Sequence, residues 1–140
     1  VDEYIVPLGK ADVVIAGSDI SLIGWGSQVQ VLLDAADMAL SQLNVSCEVI
    51  DLMTLLPWDE DAVIQSVSKT GRCIVSHEAP ITSGFGAEVV AKIQEKSFLS
   101  LEAPIRRVCG YDTPFPLVHE KYYLPNKYRV FDAIKETMEF

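Results

Sequence analysis

Val45-Ser46-Cys47-Glu48-Val49-Ile50-Asp51-Leu52 reads as a β-strand and Thr54-Leu55-Leu56-Pro57-Trp58 as the loop leaving it. A helix from Asp59 to Thr70 and a second, buried strand, Cys73-Ile74-Val75-Ser76, complete the unit. The helix ends have a physical basis. Asp59, Glu60 and Asp61 put negative charge at the positive end of the helix dipole, and Gly71 is suited to the turn that stops it. Strand, helix and strand at this spacing make one parallel crossover, and the same alternation continues on both sides.

Toward the N-terminus, Val13 to Ala16 and Ile20 to Trp25 are short β-prone runs split by the turn signal Gly17-Ser18-Asp19, expected as strands or the entry to a hairpin. From Val29 the period changes. Leu32, Leu33, Ala36, Leu40 and Leu43 form one helical stripe, and Ser27 with Gln30 three residues later makes a capping-box start. Toward the C-terminus, a loop through Pro80 precedes a helix from Gly84 to Lys96 with Phe85, Val89 and Ile93 on one face. Ile105 to Cys109 is one more strand; Thr113-Pro114-Phe115-Pro116 cannot be a central strand; Asn126 caps a last helix bearing Val130, Phe131, Ile134 and Met138. The expectation is an α/β fold, three-layered around a mostly parallel sheet, with residues 1–11 as an N-terminal arm and 12–140 as a single domain. Ligands of such sheets collect at the strand carboxyl ends, where Asp51, His77 with Glu78, and Gly110 with Asp112 are expected to cluster.

Composition agrees with one compact domain: 140 residues, 49% hydrophobic and 22% charged, with mean hydropathy +0.23, exclude a disordered chain. The net charge of −9 works against phosphate backbones and anionic lipid, so neither nucleic acid nor a membrane surface is an expected partner. No apolar run approaches the roughly 18 residues that a membrane span needs. The charge is lopsided. Residues 1–68 carry eleven acids and Lys10 as their only base, whereas residues 69–140 carry nine acids and ten bases. That asymmetry suits either a docking face for a basic partner or solvated helix faces. Cys47, Cys73 and Cys109 form no C-x-x-C pair, sit inside apolar runs and read as buried free thiols in a reducing compartment. Asn44-Val45-Ser46 fits the glycosylation pattern without any sign of secretion.

Residue chemistry offers no complete catalytic set. Ser76-His77-Glu78 contains a nucleophile, a base and an acid, yet neighbours in an extended segment point to opposite faces, which removes the triad reading. His77 reads better as an interface or capping residue, and His119 is too remote in sequence to suggest a shared metal. Gly24-Trp25-Gly26 and Gly84-Phe85-Gly86 each precede a helix, where backbone N–H groups receive phosphates, but neither has the third glycine of the dinucleotide fingerprint. Close helix–strand approach is the simpler use of both pairs. Tyr111, Phe115 and Tyr122 crowd one loop with apolar surface, which suggests self-association.

Glu48-Val49-Ile50-Asp51-Leu52-Met53-Thr54-Leu55-Leu56-Pro57-Trp58-Asp59 resembles the E-V-I-D-L-R-T-x-x-P-W-D segment of the β subunits of thiamine-diphosphate-dependent 2-oxo acid dehydrogenases. Val6 to Ala11, Ser66 to Arg72, Gly84 to Glu88 and Leu101-Glu102-Ala103-Pro104 extend the likeness in order, over nearly the whole chain. Trp25-Gly26-Ser27-Gln28-Val29, Ser76-His77-Glu78-Ala79-Pro80 and the run from Cys109 to Pro116 resemble the branched-chain enzyme more than the pyruvate enzyme. The resemblance implies a transketolase C-terminal-like domain: three layers about a five-stranded mixed sheet with one antiparallel strand. It implies thiamine diphosphate and Mg held mainly by parts absent from this chain, none bound by this domain alone, and no catalysis by it in isolation. The implied partners are the α subunit, a second β subunit, and the basic subunit-binding domain of the lipoyl acyltransferase, which Glu102, Glu139 and Phe140 are placed to meet. Tyr111, Phe115 and Tyr122 would then lie at the β–β contact. The implied compartment is the mitochondrial matrix, or the cytoplasm of a bacterium. Met53 stands where the family has arginine, and methionine can neither fork onto a carboxylate nor carry charge. The β subunit of pyruvate dehydrogenase, a free-standing nucleotide-binding α/β domain and a small hydrolase are the alternative readings.

Overall fold

The computed structural model describes residues 5–140, so the first four residues of the expected arm lie outside the described part. Five strands, β1 (Asp12–Ile15), β2 (Ile20–Gly24), β3 (Cys47–Asp51), β4 (Cys73–Pro80) and β5 (Arg106–Gly110), form one sheet in the order β1-β3-β2-β4-β5. β2, β3, β4 and β5 are parallel; β1 runs antiparallel along β3. The sheet is thus mixed and five-stranded, with one antiparallel edge.

The helices are α1 (Gln28–Leu43), α2 (Glu60–Thr70), α3 (Phe85–Ser97), the short α4 (Glu120–Tyr123) and α5 (Lys127–Met138). α1 and α5 cover one face over Ile20, Leu22, Val49, Ile74 and Val108; α2 and α3 cover the other over Ile23, Ile50, Leu52 and Val75. Strands covered on both faces need apolar residues at successive positions, which is why Ile20 to Gly24 are buried throughout. Each such Leu or Ile contributes about 1.5–3 kcal/mol when removed from water. No described helix is long and apolar enough to cross a membrane.

The local signals around α2 appear as read. Asp59 accepts from the Ala62 N–H at its N-terminus, and Gly71 ends it at φ 71°. Asn126 likewise caps α5, accepting from Tyr128 and Arg129. Four expectations are corrected. β1 and β2 form no hairpin, because β3 lies between them; the turn at Gly17 is tied instead to β3, Ser18 and Asp19 donating their N–H groups to the Ser46 carbonyl. Ser27 closes no capping box, since its hydroxyl donates to Glu78 while Gln30 bonds Asp34. β4 does not end at Ser76 but runs to Pro80, held by pairing with β5 as far as Gly110. Leu40 of the expected α1 stripe is 57% exposed, and Ala35 and Ala39 take the buried positions. The described part of the arm is pinned to the loop after β3: Gly9 N–H donates to Thr54 Oγ1 at 2.9 Å and Ala11 N–H to Asp59 Oδ2 at 3.2 Å.

Glu48 is the one buried acid in a core strand, 4% exposed, accepting from Lys69 and from Gly17 N–H. Burial pushes its carboxyl pKa up, but Lys69, Ser66 and Gly17 together outweigh burial and hold it below its ordinary 4.5. A carboxyl lowered in the fold stabilises it above the unfolded pKa, and that contribution is lost as pH falls through the folded value. Glu48→Gln is therefore expected to cost about 1.5 kcal/mol at pH 7, discounted because Lys69 is half exposed, and to flatten the loss of stability on acidification below pH 4.5. Urea unfolding of both proteins between pH 3 and pH 7 checks it; parallel pH profiles would contradict it.

Candidate functional site

The parallel strands deliver their carboxyl ends to one side of the molecule, where the paired ends of β4 and β5 bring His77, Glu78 and Gly110 together and Asp51 stands apart. Asp51 is two strands away from His77, with β2 between, and its Oδ1 accepts the Met53 N–H at 2.9 Å. Asp112 accepts from both the N–H and the hydroxyl of Thr82, which lower its pKa. Ser76 and His77 point to opposite faces of β4 as expected. Ser76 donates to Val108 O at 2.8 Å and bonds Gln28 Oε1 at 3.0 Å, on the α1 side. His77, 1% exposed, stacks on Trp25 with centroids 5.3 Å apart, on the α3 side. Its Nε2 lies 3.3 Å from Cys109 Sγ. Burial first, and then the charge of Arg107, push the imidazole pKa below its ordinary 6.5, with backbone Ala79 opposing; burial likewise raises the Cys109 thiol. A neutral imidazole beside a protonated thiol is a packing pair, and no nucleophile is assembled here.

Gly84 and Gly86 serve close packing on His77. A Cβ at Gly84 would strike the His77 ring, and one at Gly86 would stand 2.7 Å from His77 Cδ2. The space that a Gly-rich cradle offers to a diphosphate is filled by imidazole. Among the described residues no three His, Cys, Asp or Glu side chains are grouped to hold a metal.

What the carboxyl side does present is apolar surface. The loop between β5 and α5 folds into a 3-10 turn at 117–119 and α4, leaving Tyr111 49%, Phe115 51%, Leu117 73%, Val118 87% and Tyr122 68% exposed. Their organiser is Tyr123, 5% exposed, whose ring meets Phe115 edge-on with centroids 5.3 Å apart. Tyr123 lines two clefts. One, about 520 Å³, runs between Phe115 and the carboxylates of Glu78 and Glu120; the other, about 220 Å³, lies between Tyr111 and Tyr122. Arg129 fixes the loop from behind, its guanidinium 4.4 Å from the Tyr111 ring centre and donating to Cys109 O at 2.8 Å. Thus Tyr111, Phe115 and Tyr122 are brought together, around a tyrosine that sequence reasoning passed over. The signal was its place beside Tyr122, at the inward position of a short amphipathic turn.

Glu102, Glu139 and Phe140 lie at the opposite, amino side of the parallel strands. Glu102 donates its N–H to Gly71 O and pairs through its carboxylate with Arg72, just before β4, in the α2–α3 layer. Glu139 and Phe140 follow α5 in the α1–α5 layer, where Arg106, at the start of β5, pairs with Glu136. The sheet separates the two groups. Met53, 38% exposed at φ 55°, lines a cleft with Lys10 and Asp12 beside the arm.

A family profile described as "Transketolase, C-terminal domain" matches residues 9–130. The chain belongs to that family. Over all 140 residues this transketolase C-terminal domain is 56% identical to the mitochondrial 2-oxoisovalerate dehydrogenase subunit beta of Dictyostelium discoideum, of which it spans 38%. Over 140 residues it is 46% identical to the pyruvate dehydrogenase E1 component subunit beta of Staphylococcus aureus, spanning 43% of it. A solved "split gene transketolase, inactive beta4 tetramer" superposes with a TM-score of 0.84 at 22% identity, covering 98% of this chain and 44% of that one, which shows the shared fold. The chain therefore spans less than half the length of each of these proteins.

Proposed function

We propose that this domain is the C-terminal part of the β subunit of a branched-chain 2-oxo acid dehydrogenase, and that its own task is assembly. The observation that carries the reading is the 56% identity to the 2-oxoisovalerate dehydrogenase relative, against 46% for the pyruvate dehydrogenase one. A second supports it. The segments most like the branched-chain enzyme, Trp25 to Val29, Ser76 to Pro80 and Cys109 to Pro116, all sit at the carboxyl side of the sheet, where β2, β4 and β5 end. In the complete enzyme a branched-chain 2-oxo acid is oxidatively decarboxylated and its acyl group passed to a lipoyl arm. Thiamine diphosphate and Mg belong to parts outside these residues, and the compartment is the mitochondrial matrix or, in a bacterium, the cytoplasm.

The assignment of partners follows the two sides of the sheet. The aromatic surface of Tyr111, Phe115 and Tyr122 faces a second β subunit, and the α subunit completes the active site. The amino side, with Glu102, Glu139 and Phe140, meets the basic subunit-binding domain of the acyltransferase. Surfaces at opposite ends of the strands can be occupied together. Relative kcat/KM for branched-chain 2-oxo acids and for pyruvate, measured on the assembled enzyme, tests the substrate class: a preference for pyruvate would overturn it. For docking, Glu102→Ala, or removal of Glu139 with Phe140, is expected to weaken binding to the isolated subunit-binding domain at least tenfold, about 1.4 kcal/mol, with decarboxylation unchanged. The affinity should also fall steeply with salt. Calorimetric titration decides it, and equal affinities would remove these residues from the docking surface.

A further inference from the structure

β1 is an edge strand with all four residues exposed, including Val13 at 47%, Val14 at 40% and Ile15 at 41%. Three apolar residues in succession put apolar side chains on both faces, the composition of a strand that is covered, and a bare edge with that composition invites another strand. The pairing register adds charge. Asp12 stands directly opposite Asp51 across β1 and β3, so both side chains rise from the same face, roughly 4.5–5.5 Å apart at Cβ, where like charges repel. Among the described residues no base lies within 4.0 Å of either carboxylate; Lys10, the base of the adjoining cleft, is 3.6 Å from Asp59 instead. Met53 completes that cleft and brings no charge. At the other end of β1, an apolar groove of about 160 Å³ against α1 is lined by Ile15, Ala36 and Leu40, with Asp37 as its one charged residue.

We propose that β1 accepts a strand from another polypeptide that alternates apolar and basic residues. A lysine or arginine of that strand meets Asp12 and Asp51 on the α1 side, and its apolar residues lie on the other face beside Val13, which stands opposite Ile50. Charge selects this occupant over a second copy of the chain, which would bring its own −9 and, within residues 1–68, only Lys10 to offer. Backbone pairing supplies affinity that does not depend on side chains, and the acids choose a basic strand over an acidic one.

The test uses the complete subunit and an acetylated, amidated hexapeptide alternating valine and lysine, with a valine–glutamate hexapeptide as comparison. The lysine peptide is expected to bind saturably, to slow hydrogen exchange at residues 12–15, and to lose at least tenfold in affinity with Asp12→Asn. Met53→Arg, which supplies a guanidinium within the chain, should weaken it similarly while leaving the fold intact. The glutamate peptide should not bind. Equal binding of the two peptides, no saturable binding, or protection away from β1 would overturn the proposal. So would slow exchange, without peptide, at the β1 amides that point away from β3: if it disappears on dilution the occupant is a second copy, and if it persists the subunit covers β1 itself.

Discussion

Gly86→Val is expected to lower folding stability by about 2–3 kcal/mol, although replacing a helical glycine ordinarily gains up to about 1 kcal/mol. The clash sets the sign. A Cβ at this position stands 2.7 Å from Cδ2 and 2.8 Å from Nε2 of His77. That ring cannot retreat, because Trp25 stacks on it and Cys109 Sγ lies 3.3 Å from Nε2. Removing the ring should make room for the valine. The double variant Gly86→Val with His77→Ala is therefore expected to be more stable than the sum of the single losses predicts, by at least about 1 kcal/mol. Urea unfolding of the four proteins measures that coupling. Strict additivity would mean that the glycine is there for some reason other than His77.

The second large effect concerns the aromatic surface. Replacing both Phe115 and Tyr122 with serine is expected to weaken association of β subunits by at least thirtyfold, about 2 kcal/mol, the scale of aromatic hot spots at the centre of an interface. Serine adds no charge, so the −9 of each copy is unchanged and the loss reports apolar contact. Leu99→Ser is the matched control, since Leu99 is 96% exposed and follows α3, at the far end of the strands. Sedimentation equilibrium should show weaker association in the first protein and none in the second. If both variants behave like the parent, the aromatic loop faces something other than a second β subunit.

The features legible in the sequence are those decided within a few residues. α2 could be bounded because Asp59 caps its own helix and Gly71 ends it at positive φ. The same holds for Asn126 and α5. The misread features were decided across long separations. Gly17-Ser18-Asp19 is a turn, but its partners are Ser46 and Glu48, so the chain after β1 enters the sheet two places away instead of folding back. Ser27 has the residue type of a cap, and Glu78, 51 positions on, takes its hydroxyl. At the candidate site, the exposed aromatics were visible as apolar residues in a Pro-rich loop, whereas Tyr123 became important only through packing against Phe115. That Glu102 lies in one layer and Glu139 in the other could not be read from spacing, since it depends on which face of the sheet each helix covers.

The pairing of α1 with α5 bears on how the protein is made. Val130 and Ile134 belong to the same half of the core as Ile20, Leu22 and Ala35, more than ninety positions earlier in the chain. The other half, under α2 and α3, draws on residues up to Ile105. During synthesis at roughly 5–20 residues per second, the α2–α3 half can close while the α1 face still waits, bare, for a helix not yet translated. A ribosome paused before the codon for Val130 would display that apolar face to chaperones, and translation of α5 is the step that withdraws it.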